Sequence, residues 1–238
     1  MPDKISVMLV DDHMIVRSGV RRLLESAEDF EIVAEAESGE QAYELYPKFE
    51  PSVTLMDLNM PGMGGMETII RIRNRYPNAK IIVLSMYEHG PFIAQAMKAG
   101  ASGYLTKASL GDELIKAIKL VTQGRKFMSA SVAEDFAFNA VAKSNSPFDD
   151  LSTKEFEIFR LTAEGKEIIE IADALKLSEK TIANYQSILK KKLNVKPKKQ
   201  PVKKVTLLQL KHLGKPSLSK QKQNMQKLPK HCKTKSTN

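Results

Sequence analysis

The chain of 238 residues has no tryptophan and only one cysteine, Cys232. One cysteine cannot form a disulfide within the chain, which favours a reducing compartment such as the cytoplasm. No apolar stretch reaches the roughly 18 residues that a membrane-spanning helix needs, so we expect no membrane partner. Asp3 and Lys4 precede a short apolar run, a pattern unlike that of a secretory signal.

Acidic residues are absent from the last quarter of the chain. Every Asp and Glu lies at or before Glu179, whereas residues 180–238 contain 17 Lys and no Arg. The first 179 residues carry 20 basic and 28 acidic side chains. A basic end on an acidic body predicts a polyanionic partner for the C-terminal part. A solvated, lysine-rich tail is the alternative interpretation.

Short apolar runs alternate with helix-like segments in the first half of the chain. The runs are Ile5–Val10, Glu31–Ala36, Val53–Met56, Lys80–Leu84 and Gly103–Leu105. The helix-like segments are Met14–Glu25, Gly39–Tyr46, Met66–Tyr76, Pro91–Lys98 and Leu110–Gln123. Five βα repeats in a row predict a doubly wound, five-stranded parallel α/β sheet.

Polar residues stand at the ends of four of these runs. They are the pair Asp11 and Asp12, then Asp57, Ser85 and Lys107. Ligand sites of parallel sheets collect at the carboxyl ends of the strands, so we expect these side chains to share one crevice. Adjacent Asp residues alone can simply cap a helix or solvate a loop, but here a third Asp and a Lys accompany them.

This set of side chains suits phosphoryl transfer to a carboxylate. Three neighbouring carboxylates repel one another unless a cation joins them, and Mg²⁺ prefers such oxygen ligands. A lysine and a hydroxyl can then neutralise and orient the phosphoryl oxygens while the carboxylate attacks phosphorus.

Residues 4–124 resemble the receiver domain of bacterial two-component response regulators, a fold of the flavodoxin or CheY-like type. The matching motifs are LVDDH (9–13), LMDLNMPGMGG (55–65), VLSMYE (83–88) and AGASGYLTKAS (99–109). The resemblance implies that Asp57 is the phosphoacceptor and that Lys107 is the phosphate-binding lysine. It implies that Asp12, Asp57 and the Asn59 backbone carbonyl hold Mg²⁺, with Asp11 acting directly or through water. It also implies that Ser85 and Tyr104 form the switch pair. Tyr104 can also be an ordinary strand aromatic, and His13 is interpreted as a helix-start residue.

Enzymatic turnover of an external substrate is not expected. Phosphatases of the haloacid dehalogenase type also form an aspartyl phosphate, but they need a second Asp two residues after the nucleophile. Asn59 occupies that position. No GxxxxGK[ST] loop and no strand-linked GxGxxG motif is present, so nucleotide chemistry has no support.

From Leu151 the pattern predicts three helices, over 153–164, 167–175 and from an N-cap at Ser178 to about Leu193. Taken alone they can form a plain helical bundle. Their spacing, however, resembles the LuxR-type helix-turn-helix of the NarL/FixJ class. The segment NSPFDDLS (145–152) before the first helix and Tyr185 in the third helix resemble the GacA/UvrY branch of that class. The short turn before Ser178 sets the third helix at an angle to the second, as readers of the major groove require.

The third helix is predicted to have an inward and an outward face. Ile182, Tyr185, Leu189 and Leu193 share the inward face. The candidate DNA-binding residues are Lys180, Thr181, Ala183, Asn184, Ser187, Lys190 and Lys191. Asn184 can pair with adenine and Ala183 can touch a thymine methyl, whereas the lysines suit phosphates. Direct readout of bases looks limited, so DNA shape or dimer spacing is expected to contribute.

The sequence departs from the family pattern after Val195, where lysines and prolines stand in place of the expected fourth helix. We predict a receiver domain over 1–124, a linker over 125–148, a helix-turn-helix domain over 149–196 and a lysine-rich tail over 197–238. The tail is either a basic arm that adds salt-dependent affinity for DNA or a frameshifted end.

We therefore expect a cytoplasmic, DNA-binding response regulator that a sensor histidine kinase phosphorylates on Asp57. It would bind double-stranded DNA as a homodimer when phosphorylated. The alternative is a phosphorelay or protein-interaction receiver whose altered C-terminus no longer supports productive DNA binding.

Overall fold

The computed structural model describes residues 4–87, 90–141, 148 and 150–193. Within these ranges, six strands form one parallel sheet in the order β2-β1-β3-β4-β5-β6. The strands are β1 Ile5–Val10, β2 Phe30–Ala36, β3 Val53–Asp57, β4 Ile81–Ser85, β5 Gly103–Thr106 and β6 Phe127–Met128. Because β2 and β3 pair on opposite sides of β1, the sheet is doubly wound, and the predicted fold class is confirmed.

Nine helices accompany the sheet in the described part of the chain. They are α1 Met14–Glu25, α2 Gly39–Phe49, α3 Gly64–Arg75, α4 Gly90–Ala99, α5 Asp112–Thr122, α6 Ala130–Val141, α7 Thr153–Ala163, α8 Ile168–Leu175 and α9 Glu179–Lys192. The last three form the predicted all-helical domain. None of these helices is long and apolar enough to cross a membrane.

Apolar layers cover both faces of the sheet. Every residue of the central strands β3 and β4 is buried, which explains why these strands are continuous apolar runs rather than alternating ones. One layer joins Met8 and Met56 to side chains of α2, α3 and α4. The other joins Leu9 and Leu55 to side chains of α1 and α5. The two layers fix the strand ends in space.

The sheet has six strands rather than the five that the sequence predicted. The additional strand, β6, lies within the predicted linker and pairs Phe127 with Gly103 and Met128 with Tyr104. Gly124, at φ +84°, turns the chain back toward the sheet after α5. A strand of two half-buried residues is too short to show any periodicity, so the sequence pattern did not reveal it.

Helix α2 ends later than predicted and helix α5 begins later than predicted, each for a local reason. Helix α2 continues past Tyr46 and includes Pro47, and it ends where Glu50 adopts a left-handed conformation and donates its N–H to the Tyr46 carbonyl. Helix α5 begins at Asp112 rather than Leu110, because a 3-10 turn and Gly111, at φ +123°, come first.

Side-chain caps define the starts of the helices in the second domain. At α7, Ser152 and Glu155 form a reciprocal capping box, in which each side chain accepts a hydrogen bond from the other residue's N–H. At α9, the Ser178 hydroxyl accepts the Thr181 N–H at 3.1 Å, as predicted. The core of this domain also includes Phe92 from α4, so the two domains share an apolar contact.

Candidate functional site

The strand ends bring the predicted acidic residues and the lysine together. Asp11 follows β1, Asp57 ends β3, and Lys107 follows β5. The Lys107 ammonium lies 2.6 Å from Asp11 Oδ2 and 2.9 Å from Asp57 Oδ2, so it bridges the two carboxylates. All three side chains are buried, and Asp57 is only 1% exposed.

Burial and mutual charge change the ionisation of this group. Burial raises the pKa of Asp57, and the neighbouring Asp11 charge adds to the rise, while Lys107 opposes it. Burial lowers the pKa of Lys107, but its ion pairs with Asp11 and Asp57 outweigh that effect and leave the pKa raised. The lysine therefore stays charged, and its single ammonium faces both the Asp11 and the Asp57 carboxylate.

The same group offers the ligands of a hard divalent cation. Ligand atoms of Asp11, Asp12, His13 and Asp57 all lie within 4.8 Å of one another. Within the described ranges, Asp11 Oδ2 and Asp57 Oδ2 share the Lys107 ammonium as their partner, and Asp12 Oδ1 lies against the His13 ring nitrogen. Carboxylate oxygens that converge in this way are the ligands that a hard divalent cation prefers. The donor set therefore fits Mg²⁺.

His13 stands at the start of α1, as the sequence suggested. Its backbone N–H donates to Asp11 Oδ1 at 2.9 Å, and its ring Nδ1 lies 2.8 Å from Asp12 Oδ1. The imidazole is largely exposed, with 62% of the side chain accessible to solvent. It therefore sits at the rim of the acidic group rather than inside it.

Arg17 supports the acidic pair, although the sequence analysis did not select it. Its Nη1 donates to the Asp11 backbone carbonyl at 2.6 Å, and its Nη2 donates to Glu37 at 2.6 Å. The guanidinium is buried, and its hydrogen bond to the Asp11 carbonyl holds the turn after β1 in place. The only sequence signal is a basic residue one turn into α1.

Gly65 allows α3 to approach the end of β3 closely. A Cβ at this position would overlap the Asp57 carbonyl oxygen and crowd the Leu58 backbone. The Gly65 N–H also contacts the Leu58 carbonyl at 3.3 Å. The loop that carries Asn59 is therefore held between Asp57 and the first turn of α3.

Ser85 and Tyr104, the predicted switch pair, both bind the backbone of Tyr87. Ser85 is fully buried, and its hydroxyl accepts the Tyr87 N–H at 3.1 Å. Tyr104 is also fully buried, and its hydroxyl donates to the Tyr87 carbonyl at 2.8 Å. Among the described residues, no hydrogen bond joins the Ser85 hydroxyl to the carboxylates. Tyr87 itself was missed by the sequence analysis, although it lies in the VLSMYE motif.

The helical domain lies beside this carboxyl edge of the sheet. A cavity of about 330 Å³ is lined on one side by Asp12 and the loop 59–62. Its other side is lined by Glu157 and Arg160 of α7 and by Glu164 and Lys166, which follow that helix. Arg160 is buried and pairs with both of these glutamates. The Gln95 side chain of α4 donates to the backbone carbonyls of Phe148 and Leu151. The candidate phosphoacceptor site therefore opens toward α7.

The predicted faces of α9 are largely as expected. Ile182, Leu189 and Leu193 are buried and Tyr185 is half-buried. The predicted DNA-contacting residues that are exposed are Lys180, Ala183, Asn184, Ser187, Lys190 and Lys191. Thr181 is half-buried, and its hydroxyl shares a hydrogen bond of 2.8 Å with Ser178, so it contributes to the helix start. Residues 194–238, including the predicted tail, lie outside the described residues.

Comparison with known proteins gives the class of this fold and site. The chain matches the response regulator receiver domain over residues 7–119 and the luxR family of bacterial regulatory proteins over residues 149–205. It belongs to the two-component response regulators that join a receiver domain to a LuxR-type DNA-binding domain. The second match continues ten residues beyond Val195, where the sequence pattern suggested a departure.

Individual relatives agree with this assignment. The response regulator UvrY of Escherichia coli (strain K12) is 37% identical over 193 residues, which cover 80% of this chain and 88% of UvrY. The response regulator GacA of Pseudomonas aeruginosa is 36% identical over 193 residues, which cover 80% of this chain and 90% of GacA. The structure of RcsB from Salmonella enterica serovar Typhimurium, bound to promoter P1flhDC in the presence of phosphomimetic BeF3-, has a TM-score of 0.68 at 29% identity and covers 89% of this chain and 99% of RcsB.

Proposed function

We propose that this protein is a transcription regulator whose DNA binding is controlled by phosphorylation of Asp57. The observation that carries the proposal is the ammonium of Lys107 bridging Asp11 and Asp57 at the carboxyl ends of parallel strands. A helix with an exposed basic face, α9, lies in the same chain. This role requires a histidine kinase as the phosphodonor. It also implies a cytoplasmic location, because the bacterial chromosome lies in the cytoplasm.

The chemistry at Asp57 is a transfer between two protein side chains. A carboxylate oxygen of Asp57 forms a bond to phosphorus while the bond from phosphorus to the kinase histidine nitrogen breaks. Lys107 changes from a partner of the Asp57 carboxylate to a donor to a phosphoryl oxygen, and Ser85 can donate to another. Bound Mg²⁺, held by Asp12, Asp57 and the Asn59 backbone carbonyl with Asp11 nearby, would neutralise further charge on the phosphoryl group.

Recognition of DNA is assigned to the exposed face of α9. Asn184 can form a bidentate contact with adenine, and Ala183 can touch a thymine methyl. Lys180, Lys190 and Lys191 suit the phosphate backbone, which sets the register of the helix in the groove. Thr181 would contribute indirectly, because its hydroxyl is already engaged at the helix start. Binding as a homodimer would place two such helices at paired half-sites.

Two linked experiments test this function with the full-length protein. Labelling by acetyl phosphate in the presence of Mg²⁺ should disappear in Asp57→Asn and remain in Asp29→Asn, a control at an exposed receiver carboxylate. Genomic fragments selected with beryllofluoride should share a paired motif that is weaker without it. Labelling that persists in Asp57→Asn, or selection without any motif, would refute the proposal.

The altered C-terminal sequence supports one second candidate, a receiver that acts through protein contacts rather than DNA. A chain that ends at Val195 should still select the same motif if α9 carries recognition. If neither chain selects a motif while Asp57 is labelled normally, the protein-interaction role is favoured instead.

A further inference from the structure

The ring of His13 faces the carboxylates of the candidate phosphoacceptor site rather than the helix that it precedes. His13 is the N-cap residue of α1, yet its side chain makes no capping hydrogen bond. Instead, its ring nitrogen Nδ1 lies 2.8 Å from Asp12 Oδ1 and 3.2 Å from Asp11 Oδ1. The start of α1 therefore does not account for the position of the imidazole.

The two carboxylate oxygens of Asp11 have different partners. Oδ2 lies 2.6 Å from the Lys107 ammonium, which also binds Asp57. Oδ1 accepts the His13 backbone N–H at 2.9 Å and faces the His13 ring. Because the lysine and the imidazole approach Asp11 through separate oxygens, a cation between His13 and the aspartates need not displace Lys107.

The spacing of these atoms matches that of ligands around one small cation. Neighbouring ligands of an octahedral cation lie about 3.0 Å apart when its bonds are roughly 2.1 Å long, and opposite ligands lie about 4.2 Å apart. The distances from His13 Nδ1 to the oxygens of Asp11 and Asp12 lie on either side of the first value. Ligand atoms of these three residues and of Asp57 all lie within 4.8 Å of one another. One nitrogen and three oxygens can therefore share a cation.

Solvent reaches the acidic group from the side of His13. The exposed fraction of the side chain rises from 1% for Asp57 to 28% for Asp12 and 62% for His13. A divalent cation held by few protein ligands keeps several waters in its coordination shell. The exposed side next to the imidazole leaves room for those waters, whereas the buried side is closed by Asp57 and Lys107.

A ring nitrogen among the ligands changes which cations a site prefers. Mg²⁺ takes oxygen ligands, whereas Ni²⁺ and Zn²⁺ bind imidazole well and bind mixed nitrogen and oxygen sites more tightly than Mn²⁺ does. We propose that His13 Nδ1 is a ligand of the cation at this site, so that the site prefers Ni²⁺ or Zn²⁺ to Mg²⁺. The role of His13 rests on the proposed function, because the cation in question is the one that accompanies Asp57.

The first test observes the His13 ring directly in the full-length chain. The chain has four histidines, and replacing His89, His212 and His231 with Gln leaves His13 as the only one. Cys232→Ser removes the single thiol as a competing ligand. In NMR spectra of this background labelled with 15N-histidine, at constant pH, Zn²⁺ should shift the Nδ1 resonance much more than the Nε2 resonance. Mg²⁺ should shift neither strongly. Zn²⁺ that moves neither resonance, or that moves Nε2 instead of Nδ1, would overturn the proposal.

The second test measures cation affinity in the same background. Electron paramagnetic resonance reports free Mn²⁺, so added Ni²⁺ or Mg²⁺ is titrated by the Mn²⁺ that it displaces from the protein. His13→Asn keeps a good N-cap residue but removes the ring, and Ile15→Asn, at an exposed position in the first turn of α1, is the matched control. Loss of a residue that merely supports a metal ligand costs about 10- to 100-fold in metal affinity. We therefore expect the Ni²⁺ affinity to fall by at least about tenfold in His13→Asn, and the Mg²⁺ affinity to equal that of Ile15→Asn.

The two tests separate the ligand role of His13 from the proposed function. If the ratio of Ni²⁺ to Mg²⁺ affinity is the same in His13→Asn and Ile15→Asn, the ring only donates a hydrogen bond to Asp12 and the ligand role is overturned. The NMR test needs no variant of His13, so it decides the question even when His13→Asn does not fold. Acetyl phosphate labelling that does not depend on Asp57 overturns the proposed function, whereas a Zn²⁺-dependent shift of Nδ1 would still establish His13 as a ligand.

Discussion

Replacing Lys107 with methionine tests whether its ammonium neutralises the buried carboxylates. The change leaves the Asp11 and Asp57 side chains, which are 5% and 1% exposed, without their shared cation. Removing one partner from a buried ion pair costs about 3 kcal/mol, because an uncompensated charge stays buried. Without Mg²⁺ at pH 7.5, we expect Lys107→Met to lower the free energy of unfolding of the receiver domain by about that amount.

Urea denaturation followed by far-ultraviolet circular dichroism measures this loss. A change of this size moves the midpoint by at least about 1 M urea. Lys80→Met is the matched control, because the half-buried Lys80 ammonium donates to the Thr122 carbonyl at 2.7 Å, and its loss should cost only about 1 kcal/mol. If Lys107→Met loses no more stability than Lys80→Met, then the buried ammonium does not neutralise the acidic group and the reasoning fails.

The pH dependence of the same variant has a definite sign. Burial raises the pKa of Asp57, and Lys107 opposes that rise, so the pKa rises further when the lysine is removed. An acid with a raised folded-state pKa costs stability while it is ionised and not when it is protonated. The stability lost in Lys107→Met should therefore be largest above the folded-state pKa and should shrink as the pH falls through it.

Three further predictions concern other parts of the molecule. Gly65→Ala should abolish labelling of Asp57 by acetyl phosphate and lower the receiver midpoint in urea, because the new Cβ overlaps the Asp57 carbonyl oxygen; normal labelling would contradict this. Glu155→Gln should destabilise the helical domain by about 1 kcal/mol, because Glu155 pairs with Lys192 at 2.8 Å. The pKa of Glu155 is lowered in the fold, so the difference in stability between the variant and the parent should vanish as the pH falls through that pKa. Lys191→Gln should reduce the salt dependence of DNA affinity by about one unit of slope without changing the preferred sequence, whereas Asn184→Ala should relax that sequence preference.

Much of the receiver could be predicted because its signals are local. An apolar run that is buried on both faces needs no knowledge of its neighbours, so β1 was predicted with its observed bounds and β3 was one residue short. The short β6 could not be predicted, since two residues carry no period and their place depends on pairing with β5. The prediction ended α2 at Tyr46, whereas the helix includes Pro47 and continues to Phe49. Proline lacks an N–H, so its presence in the last turn removes one hydrogen bond of the helix without ending it there.

The sequence by itself determined the residues of the candidate phosphoacceptor site, because the carboxyl ends of parallel strands must meet at one edge of the sheet. It also determined the two faces of α9, because helical periodicity separates Ile182 and Leu189 from the lysines. Only the tertiary structure decided the roles of Arg17, Tyr87 and Arg160. Each of these depends on contacts between residues far apart in the chain, such as the hydrogen bond from Tyr87 to Glu164. Sequence patterns report on neighbours within an element, whereas the docking of two domains is decided by surfaces that meet only after both have folded.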